Sequence, residues 1–150
     1  MKLLAISDTY IPHRFMVQGF AGLAELGVEV EVRRWEHPTL VALQEANLAI
    51  EKGGPGAVAL PPEVTQNVAD VQILAVQFTP VSREFIASAS QLKVIGVLRG
   101  GTENVDVPFA TERGITVMNT PGRNARAVAE CALGLILSEV RNLARSHACL

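Results

Sequence analysis

The chain has 150 residues, 49% of them apolar and 19% charged, enough for one domain with a real core. Thirteen basic residues against fifteen acidic ones leave a net charge of -2. No basic block or like-charge run marks a nucleic-acid surface or a charged tail, so no nucleic-acid partner is expected.

Cys131 and Cys149 stand outside any CxxC or Cys/His cluster, and His13, His37 and His147 lack metal-ligand spacing. Neither a disulfide framework nor a zinc site is expected, and a reducing cytoplasm is. The apolar start MKLLAIS is too short for a signal segment and runs into Asp8. No apolar run approaches the ~18 residues that span a bilayer, so no membrane partner is expected.

Lys2 to Ser7 has the profile of a central parallel strand, apolar on both faces. Phe15 to Leu26 carries apolar residues at helical spacing, with Gly27 at the C′ position. Val28 to Trp35 alternates Val with Glu and Arg, as a half-exposed strand near the sheet edge does. A helix is predicted from His37-Pro38 to about Glu51, closed by Gly53-Gly54-Pro55-Gly56. Residues 57–70 carry the weakest pattern, with a short helix after Pro61-Pro62. Val71 to Gln77 is the third strand, and Pro80 to Ala89 the next helix, with Thr79 as its N-cap. Val94–Leu98 and Ile115–Met118 are two more strands, separated by a helical turn from Val107 to Arg113 that Gly114 closes.

Strands alternating with helices in this way predict an α/β fold: a flavodoxin-like, doubly wound, parallel five-stranded sheet. From Asn124 to about His147 the pattern supports one long C-terminal helix, about 35 Å at ~1.5 Å per residue. Val128, Ala129, Cys131, Ala132, Leu133, Leu135, Ile136, Leu137 and Val140 surround most of its circumference, so it is expected to be covered on more than one side. Cys131 is read as a small core residue there.

Ligands of open α/β sheets bind at the carboxyl ends of the strands. Three loops lie there: Asp8 to Arg14, Gln77 to Pro80, and Arg99 to Thr102. Gly100 and Gly101 are read as admitting unusual φ angles and leaving amides open to a carboxylate, with Arg99 adding a charge-assisted contact. The alternative reading makes the glycine pair a plain tight turn. Asp8 follows the first strand as in receiver domains, but no acidic pair, Thr loop or Lys completes a phospho-acceptor site. Asp8-Thr9-Tyr10-Ile11-Pro12 is also poor as a flavin or phosphate loop.

The stretch ILAVQFTPVSREFI (73–86), then Gly100-Gly101 followed by Glu103-Asn104-Val105-Asp106, then Asn119-x-Pro121 and Asn124-x-x-x-Val128-Ala129-Glu130, together resemble the substrate-binding part of NAD-dependent D-2-hydroxyacid dehydrogenases, phosphoglycerate-dehydrogenase-like. The resemblance runs from Val71 to about His147. It implies that amides of two loops hold the substrate carboxylate, one loop carrying Val76, Gln77 and Phe78, the other Gly100 and Gly101. It also implies that Asn124 and Arg126 face an interdomain cleft. Glu103 replaces the family's usual Asp, and Arg99 stands where a small residue is common, a departure that signals a bulkier or more acidic substrate tail.

The implied organisation is a substrate-binding domain over residues 1–120 and a linker helix over 121–150, leading to a dinucleotide-binding domain. The expected substrate-binding residues are Gln77, Phe78, Gly100, Gly101 and Asn124 by the resemblance, and Arg99 by its charge beside the glycine pair. No G-x-G-x-x-G fingerprint occurs before Leu150, so NAD is expected in the complete enzyme and none on this chain, and no catalytic residue is assigned. The expected partners are a small 2-oxo or 2-hydroxy acid and either that further domain or a second copy in a homo-oligomer. The competing reading is a non-catalytic flavodoxin-like module that self-associates through the apolar C-terminal helix.

Overall fold

The apolar N-terminal run becomes an interior strand of a five-stranded sheet. In the computed structural model, which describes residues 1–149, strand β1 (Lys2–Ser7) is buried from Leu3 onward. It is flanked on both sides by parallel partners, β2 (Glu29–Arg34) and β3 (Ile73–Val76). β3 pairs in parallel with β4 (Val94–Val97), and β4 with β5 (Thr116–Asn119). The order β2-β1-β3-β4-β5 is the expected flavodoxin-like one, with the alternating strand β2 at an edge.

Parallel neighbours require crossovers, and helices supply them. These are α1 (His13–Phe20) with a 3-10 segment Ala21–Leu26, α2 (Leu40–Gly53) with the short α3 (Pro62–Thr65), α4 (Arg83–Ser88) and α5 (Val107–Glu112). Successive strand residues point to opposite faces, and the core divides accordingly. Leu4, Ile6, Leu74, Val76, Ile95 and Val97 pack with Leu43, Ile50, Phe85, Ile86 and Phe109. Leu3, Ala5 and Ala75 pack with Met16, Phe20 and Leu23 in a smaller cluster on the other face.

Several element ends differ from the expectations, each for a local reason. α2 starts at Leu40 because Thr39 caps it, its Oγ1 accepting from the Ala42 amide at 3.1 Å. Thr79 caps nothing: it is buried, and Pro80 and Val81 stay extended because Val81 is hydrogen-bonded to Asn104 and Asp106 of the loop after β4. α4 therefore begins later, with Ser82 as its N-cap. Gly27 and Gly114 do close their elements, at φ 70° each.

The chain divides into two units, Met1–Thr120 and Pro121–Leu150. In the second, the single long helix gives way to two, α6 (Ala125–Val140) and α7 (Leu143–Ala148). Asn142 breaks it by adopting the left-handed region at φ 54°, which Asn tolerates better than most residues. No residue of α6 is buried, so Cys131 is exposed rather than a core residue.

Candidate functional site

Chain order reverses between β1 and β3, the position where doubly wound sheets open a crevice at their carboxyl edge. The loops after these strands meet across it, with the rings of Tyr10 and Phe78 5.3 Å apart. β1 runs into Asp8, a buried residue whose Oδ1 accepts from the amides of Tyr10 and Ile11, both at 2.8 Å. This is an Asx turn, the local structure that an Asp before a loop favours. Asp8 Oδ2 has no hydrogen-bond partner among the described residues. Burial pushes the Asp8 carboxyl above its ordinary value, while the amides of Ile11, Tyr10 and Phe78 pull it down.

The loops after β3 and β4 are joined into one ledge. Asn104, fully buried, donates from Nδ2 to the carbonyls of Gln77 at 3.3 Å and Thr79 at 2.9 Å. The Val81 amide donates to the Asn104 carbonyl at 2.7 Å, and the Asp106 amide to the Val81 carbonyl at 3.0 Å. A parallel bridge between Val81 and Val105 results.

Five of the six expected substrate-binding residues lie on or beside this ledge. The Gln77 side chain is buried with Oε1 unpartnered, so its contribution to the surface is backbone. Phe78 is half-buried, with the Arg99 guanidinium 4.6 Å from its ring centre. Arg99 Nη2 lies 3.2 Å from Glu51 Oε1 and 3.2 Å from Glu103 Oε2. The Gly100 carbonyl accepts from Asn119 Nδ2 at 2.7 Å, which fixes the turn. Gly101 needs no left-handed φ, contrary to the expectation. A Cβ there would meet the Glu103 carboxylate, the mobile end of a half-exposed side chain, which would have to move aside.

The sixth residue, Asn124, belongs to the second unit, where it stands at the N-cap of α6 without a side-chain cap bond. Arg126 in the next turn pairs with Glu130 at 2.8 Å. Beside the ledge, and sharing its Pro80, is a mainly apolar cavity of about 460 Å³ lined by Val58, Leu60, Phe85 and Ser88 among others. Among the described residues no group of three or more His, Cys, Asp or Glu could hold a metal ion.

Sequence reasoning passes over three residues of this edge. Asp8 carries a visible signal, an Asp at a strand end before a Pro-containing loop, but one that reads only as a failed phospho-acceptor. Asn104 is legible only as part of a motif, since nothing in its neighbours shows that it bridges to residues 77 and 79. Glu51 lies 48 positions from Arg99 and carries no signal.

Comparison with known proteins converges on one family. The family described as D-isomer specific 2-hydroxyacid dehydrogenase, catalytic domain, matches residues 35–146. A D-3-phosphoglycerate dehydrogenase of Methanocaldococcus jannaschii is 40% identical over 89 residues, 59% of this chain and 17% of that protein. A hydroxypyruvate reductase of Thermotoga maritima is 40% identical over 85 residues, 56% of this chain and 28% of that protein. The matched segments thus span well under a third of these two relatives. Among solved structures, the TT0316 protein of Thermus thermophilus superposes with a TM-score of 0.66 at 28% identity, covering 99% of this chain and 39% of that one. An NAD-dependent formate dehydrogenase from Staphylococcus aureus, in complex with NAD, shares the fold with a TM-score of 0.69 at 22% identity, covering 98% and 39%.

Proposed function

Because this chain belongs to the D-isomer specific 2-hydroxyacid dehydrogenases, we propose that it is the substrate-binding portion of an NAD-dependent member acting on a small 2-oxo or 2-hydroxy acid. The observation that carries this reading is the Asn104 tie, which sets the loops after β3 and β4 side by side at the carboxyl edge. Backbone amides around Phe78, Gly100 and Gly101 then receive the substrate carboxylate, as backbone N–H groups gathered in a concave loop suit an anion. Residues 1–120 form the substrate-binding domain, and 121–150 lead towards a dinucleotide-binding domain whose cleft Asn124 lines.

The described residues do not themselves fit a dinucleotide. The β1–α1 connection, where such a fingerprint would sit in this sheet, has no glycine between Asp8 and Pro12. It also places a buried carboxyl there, of the same sign as a pyrophosphate. NAD and the groups that move hydride and proton belong to the rest of the complete enzyme, and this chain alone does not turn over. The expected site of action is the cytoplasm; no described helix is long and apolar enough to cross a membrane.

The test has two steps. The purified chain is titrated with NADH by fluorescence, with no binding expected. It is then combined in trans with the family's dinucleotide-binding half, and NADH oxidation is followed over a panel of 2-oxo acids. Oxidation with at least one of them is expected; a flat trace across the panel would overturn the reading. A second reading, a non-catalytic module that self-associates, draws on one observation: Leu133, Leu135, Ile136, Leu137 and Val140 of α6 are all more than half exposed. A light-scattering mass equal to one chain at all concentrations would remove it.

A further inference from the structure

The ledge carries a charge arrangement that bears on which acid it accepts, and the inference rests on the substrate-site reading above. Arg99 is the cation that flanks Gly100 and Gly101, and its guanidinium is largely buried, with a side-chain exposure of 15%. One nitrogen of that guanidinium already faces two carboxylates at 3.2 Å each, from Glu51 at the end of α2 and from Glu103 four residues along its own loop. Its Cζ lies over the Phe78 ring, 4.6 Å from the centroid. One positive charge held between two negative ones leaves the cluster with a formal charge of -1.

Glu103 is placed where this excess is felt. Its carboxylate lies so close to Gly101 that a Cβ on that glycine would overlap it. A small 2-oxo acid seated on the Gly100 and Gly101 amides therefore holds its remaining atoms within a Debye length, about 8–10 Å, of the cluster. Its own carboxylate meets the same field in every such acid. The difference between acids is the charge at the far end of the tail.

We propose that Glu51, Arg99 and Glu103 form a charge filter that favours 2-oxo acids with a neutral or cationic tail and disfavours a second anionic group, carboxylate or phosphate. Arg99 read from sequence alone suggests the opposite preference, since one of the two carboxylates that offset it lies 48 residues away in sequence and the other is hidden as a change from Asp to Glu. Both glutamates are about half exposed, with side-chain exposures of 45% and 50%, so solvent screening keeps the effect moderate.

The experiment is a ¹H–¹⁵N NMR titration of the chain with 2-oxoglutarate, 2-oxopentanoate and 2-oxo-5-guanidinopentanoate, reading the amides of Phe78, Gly100 and Gly101. The neutral and cationic acids are expected to bind roughly three- to tenfold more tightly than 2-oxoglutarate. Glu103→Gln and Glu51→Gln should each shrink that ratio, whereas a general loss of structure would weaken all three acids alike. Equal or tighter binding of 2-oxoglutarate, or a ratio unchanged in both variants, overturns the filter. Binding of none of the three acids at these amides overturns the substrate site itself, and the filter with it.

Discussion

Asp8 and Asn104 show how single buried polar groups hold the carboxyl edge together. The Asp8 carboxyl is raised by burial, so the folded chain holds its proton more tightly than the unfolded chain does. This stabilising contribution is complete below the unfolded pKa, near 4, and is lost as pH rises through the raised folded value. In Asp8→Asn the turn to Tyr10 and Ile11 keeps an oxygen acceptor and the buried charge is gone. Urea midpoints measured between pH 3.5 and 7 should show the variant gaining on the parent as pH rises; a constant difference would mean that Asp8 ionises without penalty. Asn104 makes a different contribution. Asn104→Leu keeps approximate volume but strips hydrogen bonds from two carbonyls, so a loss of about 1–3 kcal/mol in unfolding free energy is expected, along with weaker binding of 2-oxo acids. Unchanged stability in a denaturant melt would show that water replaces the amide without cost.

At the scale of elements, what is legible in the sequence is what period and punctuation encode. β1 reads as central because Leu3 to Ile6 are apolar on both faces, and β2 as an edge because Val alternates with Glu and Arg. Local dihedral and tertiary ties are not legible. The apolar period runs through Arg141 and Asn142 without a gap, so nothing in it announces that Asn142 turns left-handed and splits the helix. Thr79 looks like an N-cap until the loop after β4 takes Val81 as a strand partner. The site divides in the same way: Gly100-Gly101 stand out as a turn and Phe78 enters through the family resemblance, while Asn104, Glu51 and Asp8 act across 25 or more residues or through burial. Edge strand β2 offers a test at this scale. Arg33 reaches out of it to the carbonyls of Val64 at 3.0 Å and Gln66 at 2.6 Å, pinning the end of α3, and pairs with Glu31 at 2.6 Å. Arg33→Met preserves much of the stem and removes these bonds. Residues 64–67 should then exchange amide protons faster, with a stability loss of about 1–2 kcal/mol, and unchanged exchange there would deny Arg33 this role.

For the whole molecule, the question is what stabilises the second unit. The first owes its order to two packed sheet faces, whereas no residue of α6 or α7 is buried. Isolated helices shorter than about 12–15 residues are marginal in water even when Ala-rich, and most helical stability in proteins comes from packing against a neighbour. α6 has 16 residues, and its Leu, Ile and Val side chains gain nothing from exposure. Burial of that surface, against a second copy or against the dinucleotide-binding domain proposed for the complete enzyme, is therefore what would hold the helix. The two possibilities separate by concentration. If α6 is covered by a second copy, its amides should exchange quickly in dilute chain and become protected as concentration rises, with a parallel gain in mass by light scattering. Ile136→Glu should abolish both changes while leaving the exchange of β1, β3 and β4 untouched. If only the dinucleotide-binding half covers the helix, protection should appear on adding that half and at no concentration of the chain alone. Strong protection of α6 in a dilute monomer would defeat both, since it would require the helix to be buried within its own chain.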